Sequence, residues 1–115
     1  MAGISGPNII TSGSVLYLDV ANIDSYVSGS TTTYNLINPS TTGSLLNGTG
    51  YNSGNGGSWV FDGTDDYINC GIIDSINNAT SSFTIDLWFY NNSIASEQMV
   101  FSTTYSNVNG YHIEL

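Results

Sequence analysis

Three carboxylates fall within five residues in the segment FDGTDDY, at Asp62, Asp65 and Asp66. Ca²⁺ prefers hard oxygen ligands of this kind, including backbone carbonyls such as those that Gly63 leaves accessible. The spacing differs from that of an EF-hand loop, and aspartate side chains in a turn also accept hydrogen bonds from nearby backbone amides. The sequence therefore predicts a candidate calcium site at Asp62, Asp65 and Asp66, with a purely structural turn as the alternative.

A second candidate site lies in the segment FTIDLWFY, residues 83–90. In an extended strand Asp86, Trp88 and Tyr90 share one face, and the four apolar side chains that alternate with them share the other. Exposed aromatic rings beside a carboxylate suit a sugar, which stacks on the ring and hydrogen-bonds through its hydroxyls. These three residues are therefore a candidate glycan site that needs no cofactor. The alternative is that a loop or another subunit covers this face, because Trp is rarely left fully exposed.

Strand and turn signals place both candidate sites on an all-β framework. Leu16 and Leu18 alternate with the other three side chains of residues 15–19 (VLYLD), which predicts a first strand. Residues 58–71 (SWVFDGTDDYINCG) predict a β-hairpin with the aspartates at its tip. Trp59 and Phe61 of this hairpin are expected in the core. Asn-Gly dipeptides at residues 47, 55 and 109 are typical of tight turns. Helical periodicity is missing, so we expect one helical turn at most, within residues 74–82.

The sequence also predicts the domain organisation of the chain. Residues 1–13 are rich in Gly, Pro and Ser and predict an extended N-terminal arm, anchored by Ile9 and Ile10. The remaining residues, 14–115, are enough for one domain. The last strand alternates so that Tyr111, Ile113 and Leu115 would face a core.

Five segments follow one another in an order that is typical of one family: VLYLDVAN (15–22), FDGTDDY (61–67), FTIDLWFY (83–90), MVFST (99–103) and GYHIEL (110–115). This order, over residues 9–115, resembles the concanavalin A-like, laminin G-like (LamG) domains of phage virion proteins and secreted adhesive proteins. The resemblance implies an antiparallel β-sandwich of the jelly-roll type. Members of the family normally have as many strands again, so we expect residues 14–115 to be the N-terminal part of a sandwich. Partner chains or further residues would complete it.

Catalysis is not expected. Glycosidases need two carboxylates flanking the scissile bond, and those that resemble this family carry both on one strand. FTIDLWFY offers only Asp86. His112 and Glu114 share one strand face and are expected to be solvent-facing, while the single cysteine, Cys70, is expected to be a buried strand residue rather than a nucleophile. A glycosidase fragment remains the weakest alternative.

The charge of the chain limits its partners. Nine Asp and Glu residues stand against no Lys or Arg, which gives a net charge of −9 over 115 residues. Nucleic acid and anionic membrane surfaces are excluded as direct partners, because both are bound through Lys and Arg. No apolar run is long enough for membrane insertion. The charge favours solubility before assembly, and its alternative roles are binding a divalent cation or docking on a basic partner surface.

The resemblance and the charge together predict a non-enzymatic structural or decorating protein of a virion, in a capsid or a tail fibre. It would be made in a host cytoplasm and would form oligomers with copies of itself or with other virion proteins. The alternative is an extracellular adhesion module that binds a cell-surface glycan, with or without Ca²⁺.

Overall fold

The computed structural model describes residues 10–77, 82–92, 98–103 and 111–114. Every strand pair within them is antiparallel, so the chain is all-β, as the sequence predicts. It divides into two compact units between Gly71 and Ile72. The elements are β1 (Thr32–Tyr34), β2 (Thr42–Leu46), β3 (Gly50–Asn52), a 3₁₀ turn (Gly54–Gly56), β4 (Ser58–Val60), β5 (Tyr67–Asn69), α1 (Asp74–Asn77), β6 (Met99–Ser102) and β7 (His112–Glu114).

The first unit contains two sheets. β2 is the central strand of a three-stranded sheet, between β1 and β5. β3 and β4 form a separate hairpin with Tyr51 opposite Trp59. Gly43 in β2 allows its neighbours to approach closely, because a Cβ atom there would lie 2.8 Å from Thr33 Cγ2 and 2.9 Å from Ile68 Cγ2. A larger residue at this position would therefore force the side chains of Thr33 or Ile68 to shift.

The prediction of one hairpin over residues 58–71 is wrong. β4 pairs with β3, whereas β5 pairs with β2 in the other sheet. The physical reason is the turn at Asn55 and Gly56, where positive φ angles of 54° and 92° reverse the chain directly after β3. β4 therefore pairs with β3 and not with β5. The aspartate cluster consequently lies in a connection between two sheets rather than at a hairpin tip.

Residues 15–19 alternate as predicted, with Leu16 and Leu18 half-buried, but they form no strand of a sheet. The side chain of Asn35 takes the place of a partner strand. Its Oδ1 accepts the Tyr17 N–H at 3.0 Å and its Nδ2 donates to the Val15 carbonyl at 2.8 Å. The segment is thus held by this amide side chain and by single hydrogen bonds, such as that from the Leu36 N–H to the Tyr17 carbonyl at 2.9 Å, and not by the ladder of a sheet.

The most deeply buried side chains of the first unit are polar. Ser25, Thr33 and Asn35 are fully buried. Ser25 Oγ donates to the Tyr34 carbonyl at 2.8 Å and accepts the Asp19 N–H at 3.0 Å, while Thr33 Oγ1 donates to the Ser25 carbonyl at 3.0 Å. Because each buried polar group has a partner, the network satisfies the requirement that buried polar atoms be hydrogen-bonded.

The apolar core of the first unit is small and aromatic. Tyr26 is buried, and its ring centroid lies 5.4 Å from that of Tyr51 and 5.8 Å from that of Trp59. Trp59 is half-buried and packs edge-on against Tyr26, in agreement with its predicted core position. Phe61 is about half exposed, so its predicted core position is wrong. It follows β4 at the start of the connection, beyond the last paired residue.

In the second unit, β6 and β7 form a hairpin with an irregularity between Met99 and Phe101. The predicted helical turn is confirmed as α1, which buries Ile76. The segment 83–90 is extended, and Phe83, Ile85 and Leu87 are half-buried as the alternation predicts. The prediction is wrong for Phe89, which is 54% exposed near the end of the segment. The segment is not a strand of a sheet, because none of the described residues pairs with it.

Several predicted features fall on residues outside the described ones: Ile9 and the arm over residues 1–9, the Asn-Gly turn at residue 109, and Leu115. The described end of the arm contains a turn, in which Ser14 Oγ donates to the Ile10 carbonyl at 2.6 Å. The Ile10 side chain itself is exposed.

We expect Asn35→Ala to lower the free energy of unfolding by roughly 2–4 kcal/mol, because it leaves part-buried backbone groups of Val15 and Tyr17 without partners. Asn38→Ala is the matched control. Asn38 is exposed and its Oδ1 accepts only the local Ser40 N–H, at 3.1 Å, so its removal should cost less than about 1 kcal/mol. Urea titration measures both values, and equal losses would contradict the role assigned to Asn35.

Candidate functional site

The structure brings the three sequence-predicted carboxylates together in the connection between β4 and β5. One carboxylate oxygen from each of Asp62, Asp65 and Asp66 lies within 4.8 Å of the others. Asp62 and Asp65 are exposed and Asp66 is half-buried. Two unit charges at 4.8 Å repel each other by roughly 1 kcal/mol in water. The chain contains no Lys or Arg to offset that repulsion.

Local hydrogen bonds set the shape of this aspartate cluster. Asp62 Oδ1 accepts the Thr64 N–H at 2.7 Å, and Asp66 Oδ2 accepts the Asp62 N–H at 2.9 Å. Gly63 between them has a positive φ of 77°, which glycine adopts without strain. Both carboxylates thus do what the structural-turn alternative predicts, since they cap backbone amides of their own loop.

A second loop supports the cluster. Asn47, in the turn that leads from β2 to β3, donates from Nδ2 to the Asp65 carbonyl at 2.8 Å. The sequence analysis missed this residue as part of the site. Its Asn-Gly dipeptide predicts the turn, and Asn47 and Gly48 do have positive φ angles. The contact of this turn with Asp65 depends on the pairing of β5 with β2. No local sequence pattern specifies that pairing.

The second carboxylate oxygen of Asp66, Oδ1, is enclosed and has no hydrogen-bond partner among the described residues. An enclosed carboxylate oxygen without a donor is unfavourable, and a bound cation would relieve this. Ca²⁺ sits 2.3–2.6 Å from its ligands, so oxygens up to about 5 Å apart can share one ion. The arrangement can therefore accept a divalent cation, and calcium binding stays a prediction.

The predicted glycan residues are all accessible in the second unit. Trp88 is 97% exposed and Tyr90 is 86% exposed, and Asp86 is exposed as well. Among the described residues, no loop covers this face. Covering by another subunit remains open. The aromatic pair and the aspartate cluster belong to different units, so each is a candidate by itself.

The other residues considered for chemistry offer little. Cys70 directly follows β5 and is half-buried. Burial raises the pKa of its thiol above the ordinary value, which disfavours the thiolate that a nucleophile needs. His112 and Glu114 both lie in β7, two residues apart. Among the described residues, no helix is long and apolar enough to cross a membrane.

No protein-family model, curated protein or solved structure matches this chain.

The calcium hypothesis makes a direct prediction about stability. Ca²⁺ at about 100 times its dissociation constant should stabilise the fold by roughly 2.7 kcal/mol, seen as a higher melting temperature in CaCl₂ than in chelator. Asp66→Asn should abolish this increase, because it removes a charged ligand. Asp24→Asn, which changes an exposed carboxylate outside the cluster, should retain it. Melts at matched ionic strength that do not differ between calcium and chelator would leave the cluster a structural turn.

Proposed function

We propose that this chain is a non-enzymatic assembly module, a structural or decorating component of a virion with a LamG-like β-sandwich fold. It would act through contacts with copies of itself or with other virion proteins in a capsid or tail fibre. The order of the five sequence segments supports the LamG and virion assignments. The assembly role has separate support in the distribution of apolar side chains.

The observation that carries the assembly role is how much apolar surface is exposed. Among the described residues, the apolar side chains that are buried are Tyr26, Leu45 and Ile76, whereas sixteen large apolar or aromatic residues are exposed. Single exposed apolar residues are ordinary. Exposure on this scale beside so small a core favours a surface that a neighbouring protein covers.

The last hairpin illustrates the same point. Alternation predicts that Tyr111 and Ile113 face a core, yet they are 43% and 41% exposed. A predicted core face that stays this exposed among the described residues supports the idea that another chain supplies part of the sandwich. The lack of basic residues directs assembly toward protein surfaces rather than toward a packaged nucleic acid.

Light scattering after size exclusion tests the assembly role. We expect a defined oligomer, or association that strengthens as NaCl increases, because salt screens the repulsion between chains of net charge −9. Ile23→Asn combined with Ile72→Asn should weaken association without lowering the melting temperature, since both side chains are exposed. Ile76→Asn is the control, because its buried side chain should affect stability instead. A monomer with one cooperative melt at all salt concentrations would contradict assembly with copies of itself and leave only assembly with a different protein.

Glycan binding is the second candidate function, and the exposure of Trp88 and Tyr90 favours it. An indole that is 97% exposed offers its whole face for stacking on a sugar ring, with Asp86 as the hydrogen-bonding neighbour. Such a module would display the aromatic pair toward a cell surface.

Trp88→Ala should abolish any binding on a glycan array while changing the free energy of unfolding by less than about 0.5 kcal/mol, since the side chain has few contacts to lose. Trp59→Ala is the matched control. It removes a half-buried ring that packs on Tyr26 and should cost roughly 2–3 kcal/mol, with glycan binding retained in the folded fraction. A large stability loss for Trp88→Ala would contradict the exposed position, and wild-type protein that binds no glycan would remove this candidate.

A further inference from the structure

The segment Phe83–Tyr90, which we call the open segment, is extended and rich in residues that favour strands, yet it belongs to no sheet among the described residues. One end is fixed. The Phe83 ring packs edge-on against Tyr111 with centroids 4.9 Å apart, and Tyr111 immediately precedes β7. The open segment therefore starts beside the last hairpin and presents backbone N–H and C=O groups that no described ladder uses.

Unpaired backbone groups on an extended segment are the feature that strand addition exploits. The inner face of the open segment is already partly packed, because Ile85 and Leu87 are half-buried. The outer face is solvent-exposed at Thr84, Asp86 and Trp88. An added strand would gain main-chain hydrogen bonds along the edge and side-chain contacts on that outer face.

The outer face also indicates the chemistry of the added strand. Asp86 and Trp88 are two residues apart on one face, about 6.6 Å along an extended chain. A guanidinium group matches both, since it pairs with a carboxylate and stacks on an indole. Because the chain has no Lys or Arg, that cation must come from a different protein. Pairing with a second copy would instead bring two Asp86 carboxylates toward each other.

We propose that the open segment is a strand-addition site for an extended segment of another protein that carries an arginine beside Asp86 and Trp88. This inference rests on the proposed assembly function and specifies its partner. The arginine binds both side chains on the outer face, and the backbone of the partner completes the edge. The partner is thus a basic strand, and the acidic character of this chain serves to select it.

The probe is a synthetic peptide of alternating threonine and valine with one central arginine, titrated into the full chain by NMR. We expect amide shifts at residues 83–90 and hydrogen exchange slowed there by about tenfold or more, because ladder hydrogen bonds protect amides. The same peptide with citrulline in place of arginine should bind about tenfold more weakly, since it keeps the shape and loses the charge.

Two controls separate strand addition from general attraction to an acidic protein. A peptide with the same arginine but N-methylated backbone amides should fail to bind, because it cannot form the ladder. Asp86→Asn should weaken binding about tenfold, whereas Asp74→Asn, which changes an exposed carboxylate in α1 of the same unit, should leave it unchanged. Equal binding of the methylated peptide, protection elsewhere in the chain, or no binding at millimolar peptide would overturn the inference.

The test distinguishes this inference from the assembly function on which it rests. A chain that forms an oligomer by light scattering but shows no peptide protection at residues 83–90 retains its assembly role through other apolar surfaces and loses the strand-addition site. A chain that stays monomeric and binds no peptide loses both self-assembly and the strand-addition site.

Discussion

The buried hydrogen-bond network of Ser25, Thr33 and Asn35 is the interaction on which the first unit depends. These side chains are fully buried, and they join the extended segment at residues 15–19 to β1 and its neighbours. In a chain without Lys or Arg, side-chain ion pairs cannot perform this task, so amides and hydroxyls do. The network stabilises the fold only when it is complete, because each lost partner leaves a buried polar atom unsatisfied.

A polar interior of this kind leaves limited space for apolar side chains. The aromatic group of Tyr26, Tyr51 and Trp59 fills much of what remains, and many large apolar side chains stay on the surface. The high negative charge keeps such a surface soluble while the chain is alone. In the proposed assembly, partner binding would resolve two constraints together, since it would cover apolar area and could supply the cations that the chain lacks.

The two candidate sites follow from these constraints in different ways. The aspartate cluster is shaped by its own loop and by Asn47, so it is present whether or not an ion binds. The outer face of the open segment is shaped by alternation alone, and its function depends on what approaches it. A glycan would use the aromatic faces of Trp88 and Tyr90, whereas an added strand would use the backbone edge beside Asp86. Glycan binding and strand addition both need this face to be exposed, but only strand addition would use main-chain hydrogen bonds of the open segment.

The sequence itself determined the all-β class, the turns at Asn47 and Asn55, the alternation of residues 15–19 and 83–88, and the closeness of Asp62, Asp65 and Asp66. Each depends on local stereochemistry or on a few neighbouring residues. Strand pairing was decided only by the tertiary structure. It placed β4 and β5 in different sheets, left the predicted first strand outside any sheet of the described residues, and left Phe61 exposed. Pairing depends on contacts between residues far apart in the chain, such as the eighteen positions between Tyr17 and Asn35, and local patterns carry no information about them.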